Sequence, residues 1–217
     1  VVLNHITRYK YERPITLGPQ IVRLRPAPHA RTPILRYELK IQPPQHHLSW
    51  QQDIYNNHLA RVVFSEKAAE LVVEVELLAD LSPVNPFDFF LEPGCENFPF
   101  QYPPELAKDL APYLFTEKPS ALFQNFFGGL SLEKRPTTNM LVDLNSQVKN
   151  AIAYTVRMEP GIQSCEQTLE RKTGSCRDSA WLLVEIFRHL GLAARFVSGY
   201  LIQLASDEPA PETSAAV

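Results

Sequence analysis

Between Leu81 and Pro104 the chain reads LSPVNPFDFFLEPGCENFPFQYPP, a stretch holding six prolines and five phenylalanines. Proline has no backbone N–H and a fixed φ, so this density excludes a regular helix or a central strand. The phenylalanines argue equally against a free linker, because large aromatic side chains are rarely left in water. The stretch therefore reads as an ordered, extended strap packed along a surface between two modules. It divides the chain into two halves of different hydrophobic period.

Before the strap the pattern is that of β structure. IVRLRP (Ile21–Pro26), ILRYELKIQP (Ile34–Pro43), HLSWQQDIYN (His47–Asn56), ARVVFSE (Ala60–Glu66) and ELVVEVELLA (Glu70–Ala79) are rich in β-branched and aromatic residues. Each alternates with a period near two and is bounded by turn residues. The first residues, VVLNHITRYKYERP, also read as a strand. Asn56-Asn57 suits a hairpin turn between two runs. No helical run separates these strands, so the pairing expected is antiparallel, in a sandwich or half-barrel.

After the strap the period changes to that of helices. ELAKDLAPYL (Glu105–Leu114) starts behind Pro103-Pro104. TTNMLVDLNSQVKNAIAYTV (Thr137–Val156) carries Met140, Leu141, Leu144, Val148, Ile152 and Val156 at near-helical spacing, with Thr137 or Thr138 as N-cap. SCEQTLERKT (Ser164–Thr173) reads as a short helix or turn. A longer apolar helix runs from Cys176 to Leu190, and a strand is expected from about Ala193 to Leu204. Gly128-Gly129 reads as a turn, without the lysine of a phosphate loop. The fold class is α+β: an antiparallel β-rich domain over 1–80, the strap over 81–104, and an α+β domain with a polar tail over 105–217.

The formal net charge of −3 gives no basic footprint, so no nucleic-acid partner is expected. No run of about 18 apolar residues predicts a membrane span, and the first residues lack the order of a signal peptide. Three scattered cysteines, Cys95, Cys165 and Cys176, make no disulfide framework, and a cytoplasmic location is the default. His46-His47 sits in a Pro/Gln-rich turn and reads as a solvated pair. No zinc or calcium motif stands in the chain, so no metal or other cofactor is expected. Cys95 follows a glycine with no helix behind it and reads as inert. The last residues, ASDEPAPETSAAV, have the composition of a loop or disordered end, and both ends read as cut rather than natural.

The sharpest local feature is TGSCRDSAWLLVEIFRHLG. Ser175 followed by Asp178 has the form of a capping box, and Gly191 supplies the matching stop. At 100° per residue, Asp178, Glu185 and His189 share one stripe, which reads as the solvated face. Cys176, Ala180, Leu183 and Phe187 share the opposite stripe, which reads as buried. Position alone leaves two readings open for Cys176. It is a small packed hydrophobe, or a thiol whose place in a helix's first turn favours the nucleophilic thiolate. In the second reading Gly174 lets a substrate approach the backbone. Ser175, Arg177 and Asp178 are then the candidates to support the thiol or an oxyanion.

The surrounding residues decide between them. Gly174, Cys176, Arg177 and Asp178, then the apolar helix, then Arg195, Phe196, Val197, Ser198, Gly199 and Tyr200, resemble the transglutaminase-like core of bacterial proteins in the papain-like cysteine superfamily. The first 80 residues and NPFDFFLEP (Asn85–Pro93) resemble the β-rich module that precedes this core. The resemblance implies that Cys176 is the nucleophile of a Cys-His-Asp set. It attacks an amide carbonyl, forms a thioester, and passes the acyl group to water or to an amine. The implied substrate is a peptide or protein amide.

The resemblance also implies a histidine, commonly in a His-Ala-Trp motif, and an acid on strands beyond the Gly-Tyr strand. His189 is the one histidine after Cys176. It lies thirteen residues along the same helix, about 20 Å away and on the opposite face. His5, His29, His46, His47 and His58 all fall in the β module. Asp207 and Glu208 fall in the tail, and Asp178 reads as a cap or as a partner of Arg177 or Arg195. Arg195 itself reads as an internal ion-pair member ahead of a substrate clamp. The expectation is a truncated, inactive N-terminal part of a cysteine enzyme. The alternative is a non-catalytic peptide-binding or scaffold module. A sheet edge left exposed after Tyr200 would favour self-association.

Overall fold

The period-two runs form six antiparallel strands in two three-stranded sheets in the computed structural model, which describes residues 1–85 and 87–202. The strands are β1 (Val2–Thr16), β2 (Gln20–Val22), β3 (Ile34–Gln42), β4 (His46–Gln52), β5 (His58–Phe64) and β6 (Lys67–Ala79). One sheet has the order β1-β6-β3 and the other β2-β5-β4. The central strands carry the most buried side chains: Val75 and Leu77 on β6, Ala60 and Val62 on β5. Ile41, Leu71 and Val73 of the first sheet share one core with Val62 and Phe64 of the second, closed by Leu17 and Ala68.

Two local features shape this unit, which spans Val1–Asp88. The β1–β6 register shifts between Lys10 and Ile15, a span containing Pro14, which has no N–H to give to a ladder. The β4–β5 hairpin closes over Asp53–Asn57. Asn56 takes a left-handed φ of 64° there, a conformation asparagine tolerates better than most residues. The Asp53 carboxylate accepts from the backbone N–H of Tyr55 and of Asn57, both at 2.9 Å. The turn expected at Asn56-Asn57 is present, with Asp53 as its anchor.

The second unit, Phe89–Val217, begins inside the strap. β7 (Asn97–Phe98) pairs antiparallel with β8 (Arg135–Pro136), and Thr137 Oγ1 donates to the Cys95 carbonyl at 2.6 Å. Phe98 is buried in this unit's core and Phe100 packs against it, whereas Phe87, Phe89 and Phe90 are exposed. The helix expected over Glu105–Leu114 is two short pieces, α1 (Pro104–Asp109) and α2 (Ala111–Leu114), parted at Leu110. Pro112 explains the break, because it cannot donate back along a continuous helix.

The residues around Gly128 form α3 (Ala121–Gly128), a helix rather than the bare turn expected there. Its cap is Ser120, which accepts from the Phe123 N–H. α4 (Thr137–Ala151) follows and places Met140, Leu144 and Val148 on one buried stripe, with Ile152 just beyond. Its N-cap is Pro136, not Thr137 or Thr138. The chain then turns into β9 (Ala153–Tyr154), crosses through α5 (Cys165–Arg171), and pairs parallel with itself at β10 (Thr173–Gly174). α5 starts with a reciprocal box between Ser164 and Gln167. α6 (Cys176–His189) completes the unit, with Leu182 and Ile186 packed against the α4 stripe, Leu169 and Phe123.

The strand expected from Ala193 to Leu204 is not formed by residues 193–202, and 203–204 lie outside the described residues. No ladder partner faces this segment among the described residues. Its backbone is instead tied by non-ladder contacts. Ala193 N–H donates to the Tyr102 hydroxyl at 3.1 Å, and Ala194 N–H donates to the Tyr113 carbonyl at 3.0 Å. The polar tail, with Asp207 and Glu208, also lies outside the described residues. Among the described residues no helix is long and apolar enough to cross a membrane.

Candidate active site around Cys176

Ser175 is the N-cap of α6, with extended backbone, and Cys176 is the helix's first residue. Cys176 is exposed, whereas Gly174, Ser175 and Asp178 around it are buried. A helix start of this kind offers partly unsatisfied N–H groups and the positive end of the helix dipole to an anion beside it.

Beneath Cys176 lies Asp178, which has no exposed surface. Its carboxylate meets six donor groups from three residues. Arg157 grips it in bidentate fashion, Nε to Oδ2 and Nη2 to Oδ1, both at 3.0 Å. Gln163 donates its backbone N–H at 2.8 Å and its side-chain amide at 3.1 Å. Ser175 donates its backbone N–H and its hydroxyl, both at 2.8 Å. Burial works against the carboxylate's charge, but the Arg157 pair and these N–H and O–H donors outweigh it, and the group is held well below the ordinary carboxylate range. The same pair raises Arg157, with burial opposing.

Asp178 is thus the cap it was expected to be, but its ion-pair partner is Arg157, not Arg177 or Arg195. Arg177 reaches instead to the carbonyls of Arg157 at 3.2 Å and Glu159 at 3.4 Å. Segment 157–163 is in this way stitched to the helix start from both sides. Arg195 is half-buried in the segment that follows α6. Gly174 also has a different cause from the one expected. A Cβ there would stand 3.0 Å from the Asp178 Cβ and 3.6 Å from the Thr168 Cγ2. The close approach that requires glycine is that of the protein's own buried aspartate.

The helix faces depart from the expected ones at the acids and at Cys176, while Leu183 and Phe187 pack against the core as expected. Asp178 and Glu185 point inward, at 0 % and 3 % exposure, and Cys176 points outward. The periodicity argument places acids on the solvated face because a buried charge is costly unless paired. Here both acids are paired. Glu185 receives Arg188 Nη1 at 3.4 Å and the Glu117 N–H at 3.5 Å. Arg188 continues to the carbonyls of Ala194 and Phe115. His189 sits over the Phe123 ring, 4.7 Å between centroids, with Nδ1 2.9 Å from the Glu185 carbonyl oxygen. It belongs to the packing at the far end of α6.

The other cysteines are placed differently. Burial, with Glu185 and Glu117 nearby, pushes the Cys165 thiol up to about 12. Cys95 is half-buried beside the β7–β8 pair. The residues that sequence reading missed are Arg157 and Gln163. They lie 21 and 15 residues before Asp178, and no helical or strand period links them to it.

Comparison with known proteins covers both units. Residues 1–80 match the family described as the bacterial transglutaminase-like N-terminal region, and residues 125–211 match the transglutaminase-like superfamily. Uncharacterized proteins of Mycobacterium tuberculosis and Mycobacterium bovis are 26% identical over 211 residues. That alignment covers 95% of this chain and 66% of the length of those relatives. The crystal structure of a candidate cysteine protease from Cytophaga hutchinsonii superposes with a TM-score of 0.55 at 14% identity, covering 88% of this chain and 66% of that one. The fold is α+β of the transglutaminase-like class, with residues 1–80 similar to the bacterial N-terminal region and residues 125–211 to the transglutaminase-like core.

Proposed function

We propose that Cys176 is the nucleophile of an acyl transfer from amide bonds, and that this chain supplies the nucleophile-bearing part of the enzyme. The observation that carries the reading is the exposed thiol at the start of a 14-residue helix. Its first turn is locked from below by the buried Asp178 and its donors. The Asp178 charge is met by Arg157, so it leaves the positive helix end available to an anion at Cys176. The fold neighbour's description as a candidate cysteine protease supports the same chemistry.

In the step proposed, Sγ adds to the amide carbonyl carbon and the C–N bond breaks. The amine leaves with a proton, and the acyl group remains as a thioester. Water then regenerates the thiol, or an amine takes the acyl group. The only histidine of the second unit is His189, about 20 Å along α6 at 1.5 Å per residue. That unit therefore offers Cys176 no imidazole, and amide turnover by the chain alone is not expected. An activated ester, whose leaving group needs no proton, bypasses this requirement.

The test uses p-nitrophenyl acetate on the 217-residue chain, reading nitrophenolate release and mapping the acyl group by mass spectrometry. A burst with the acetyl group on Cys176 is expected, abolished in Cys176→Ala and retained in Cys95→Ala. A burst that survives Cys176→Ala, or acetylation spread evenly over Cys95 and Cys176, overturns the proposal.

A further inference from the structure

The β unit contains a cleft of about 400 Å³, within the size range of small-ligand sites. It has no part in the chemistry assigned to Cys176. Its charged and titratable lining is Arg25, Arg36 and His58, with no aspartate or glutamate. The rest is mainly proline, alanine and aliphatic side chains, with Tyr37 at one wall. Arg36 is neutralised by an ion pair with Glu76. Arg25 is not.

The Arg25 guanidinium lies over two rings, 5.6 Å from the Tyr37 centroid and 5.4 Å from the Trp50 centroid. Those rings meet edge to face at 6.1 Å, one from β3 and one from β4. Among the described residues no carboxylate pairs with the Arg25 side chain, which contacts these two rings. Ring faces at these distances attract the cation and supply no carboxylate to its N–H groups. A planar guanidinium fork matches a carboxylate in bidentate geometry, which a lysine ammonium does not. A cleft that sets this arginine beside proline and aliphatic side chains suits a ligand with an apolar body and one terminal carboxylate.

We propose that this cleft binds a carboxylate-bearing apolar ligand, with the carboxylate on Arg25 and the apolar body among Pro26, Pro28, Pro33 and Ile34. A free organic acid and the C-terminal carboxylate of a peptide share this chemistry.

The chain has two tryptophans, Trp50 under Arg25 and Trp181 in α6. A Trp181→Phe background therefore makes emission report Trp50 alone. We would titrate that protein with hexanoate and with N-acetyl-Ala-Leu bearing a free carboxylate, then with the corresponding amides and with inorganic phosphate. The expected result is a saturable Trp50 shift with the carboxylates and at least tenfold weaker binding of each amide. Arg25→Gln should abolish the response, and Arg25→Lys, which keeps charge but loses the fork, should weaken it. A response to hexanoate alone identifies the organic-acid source, and equal or tighter peptide binding identifies the peptide terminus. Amides binding as well as acids, phosphate binding more tightly than both carboxylates, unchanged binding in Arg25→Gln, or no saturable response each overturns the proposal.

Discussion

Replacing Asp178 by asparagine keeps the shape of the side chain and removes its charge. The carboxylate accepts two hydrogen bonds each from Arg157, Gln163 and Ser175. The amide would keep one acceptor oxygen and turn an NH2 group toward a surface made only of donors. It would also leave Arg157 without its buried carboxylate, with only the exposed Glu159 at 3.7 Å. Removing one partner of a buried pair costs about 3–5 kcal/mol, a large part of the roughly 5–15 kcal/mol that holds a typical domain folded. Urea unfolding followed by Trp181 emission in a Trp50→Phe background reads the unit that contains the site. The pH dependence adds a second signature. The native carboxyl is held far below its unfolded value of about 3.9. Its contribution is therefore complete above that pH and is lost as pH falls, by about 1.4 kcal/mol per pH unit. The gap between wild type and Asp178→Asn should be widest at pH 7 and should narrow between pH 4 and pH 2. A gap below about 1 kcal/mol at pH 7, the worth of one ordinary hydrogen bond, would refute this reasoning. So would a gap that does not change with pH.

Three further outcomes follow from the packing. Gly174→Ala puts a methyl group 3.0 Å from the Asp178 Cβ and should lower stability by about 1–3 kcal/mol; an unchanged melting temperature would show that the β10–α6 turn yields. Leu182→Ala removes a fully buried side chain from the core of the second unit and should cost about 2–5 kcal/mol, read by the same urea curves. Native protein treated with iodoacetamide at pH 8 should be modified at Cys176 while Cys165, whose thiol is pushed up to about 12, stays unmodified; modification of Cys165 at the rate of Cys176 would contradict its burial.

The β module was legible because its information is local. Alternation on β5 and β6 reports directly which side chains face the core, and Asn56 marks its own turn. The α4 stripe was legible for the same reason. The faces of α6 were not, because polarity alone sends Asp178 and Glu185 outward. Their burial is made tolerable by Arg157, Gln163 and Glu117, distant in sequence, together with Arg188 on the same helix. α3 was hidden by Gly128 at its end, and the segment after α6 by a strand-like composition that meets no ladder among the described residues. For the candidate site, the position of Cys176 could be read from the helix start and from the family motif. The reason that position is held could not.

The two inward acids of α6 have one more consequence. Asp178 and Glu185 lie seven residues apart, so they differ by only about 20° around the helix axis. Together they act as a key in a slot. Rotating the helix by a single residue step would swing Asp178 away from Arg157 and Glu185 away from the Glu117 N–H, while Arg188, on the same helix, would turn with Glu185. Apolar packing tolerates small rotations, because a leucine can exchange one neighbour for another. Two paired charges on one generator of the cylinder do not. The azimuth of α6, and with it the direction in which Sγ of Cys176 faces, is therefore indexed by electrostatics rather than by volume.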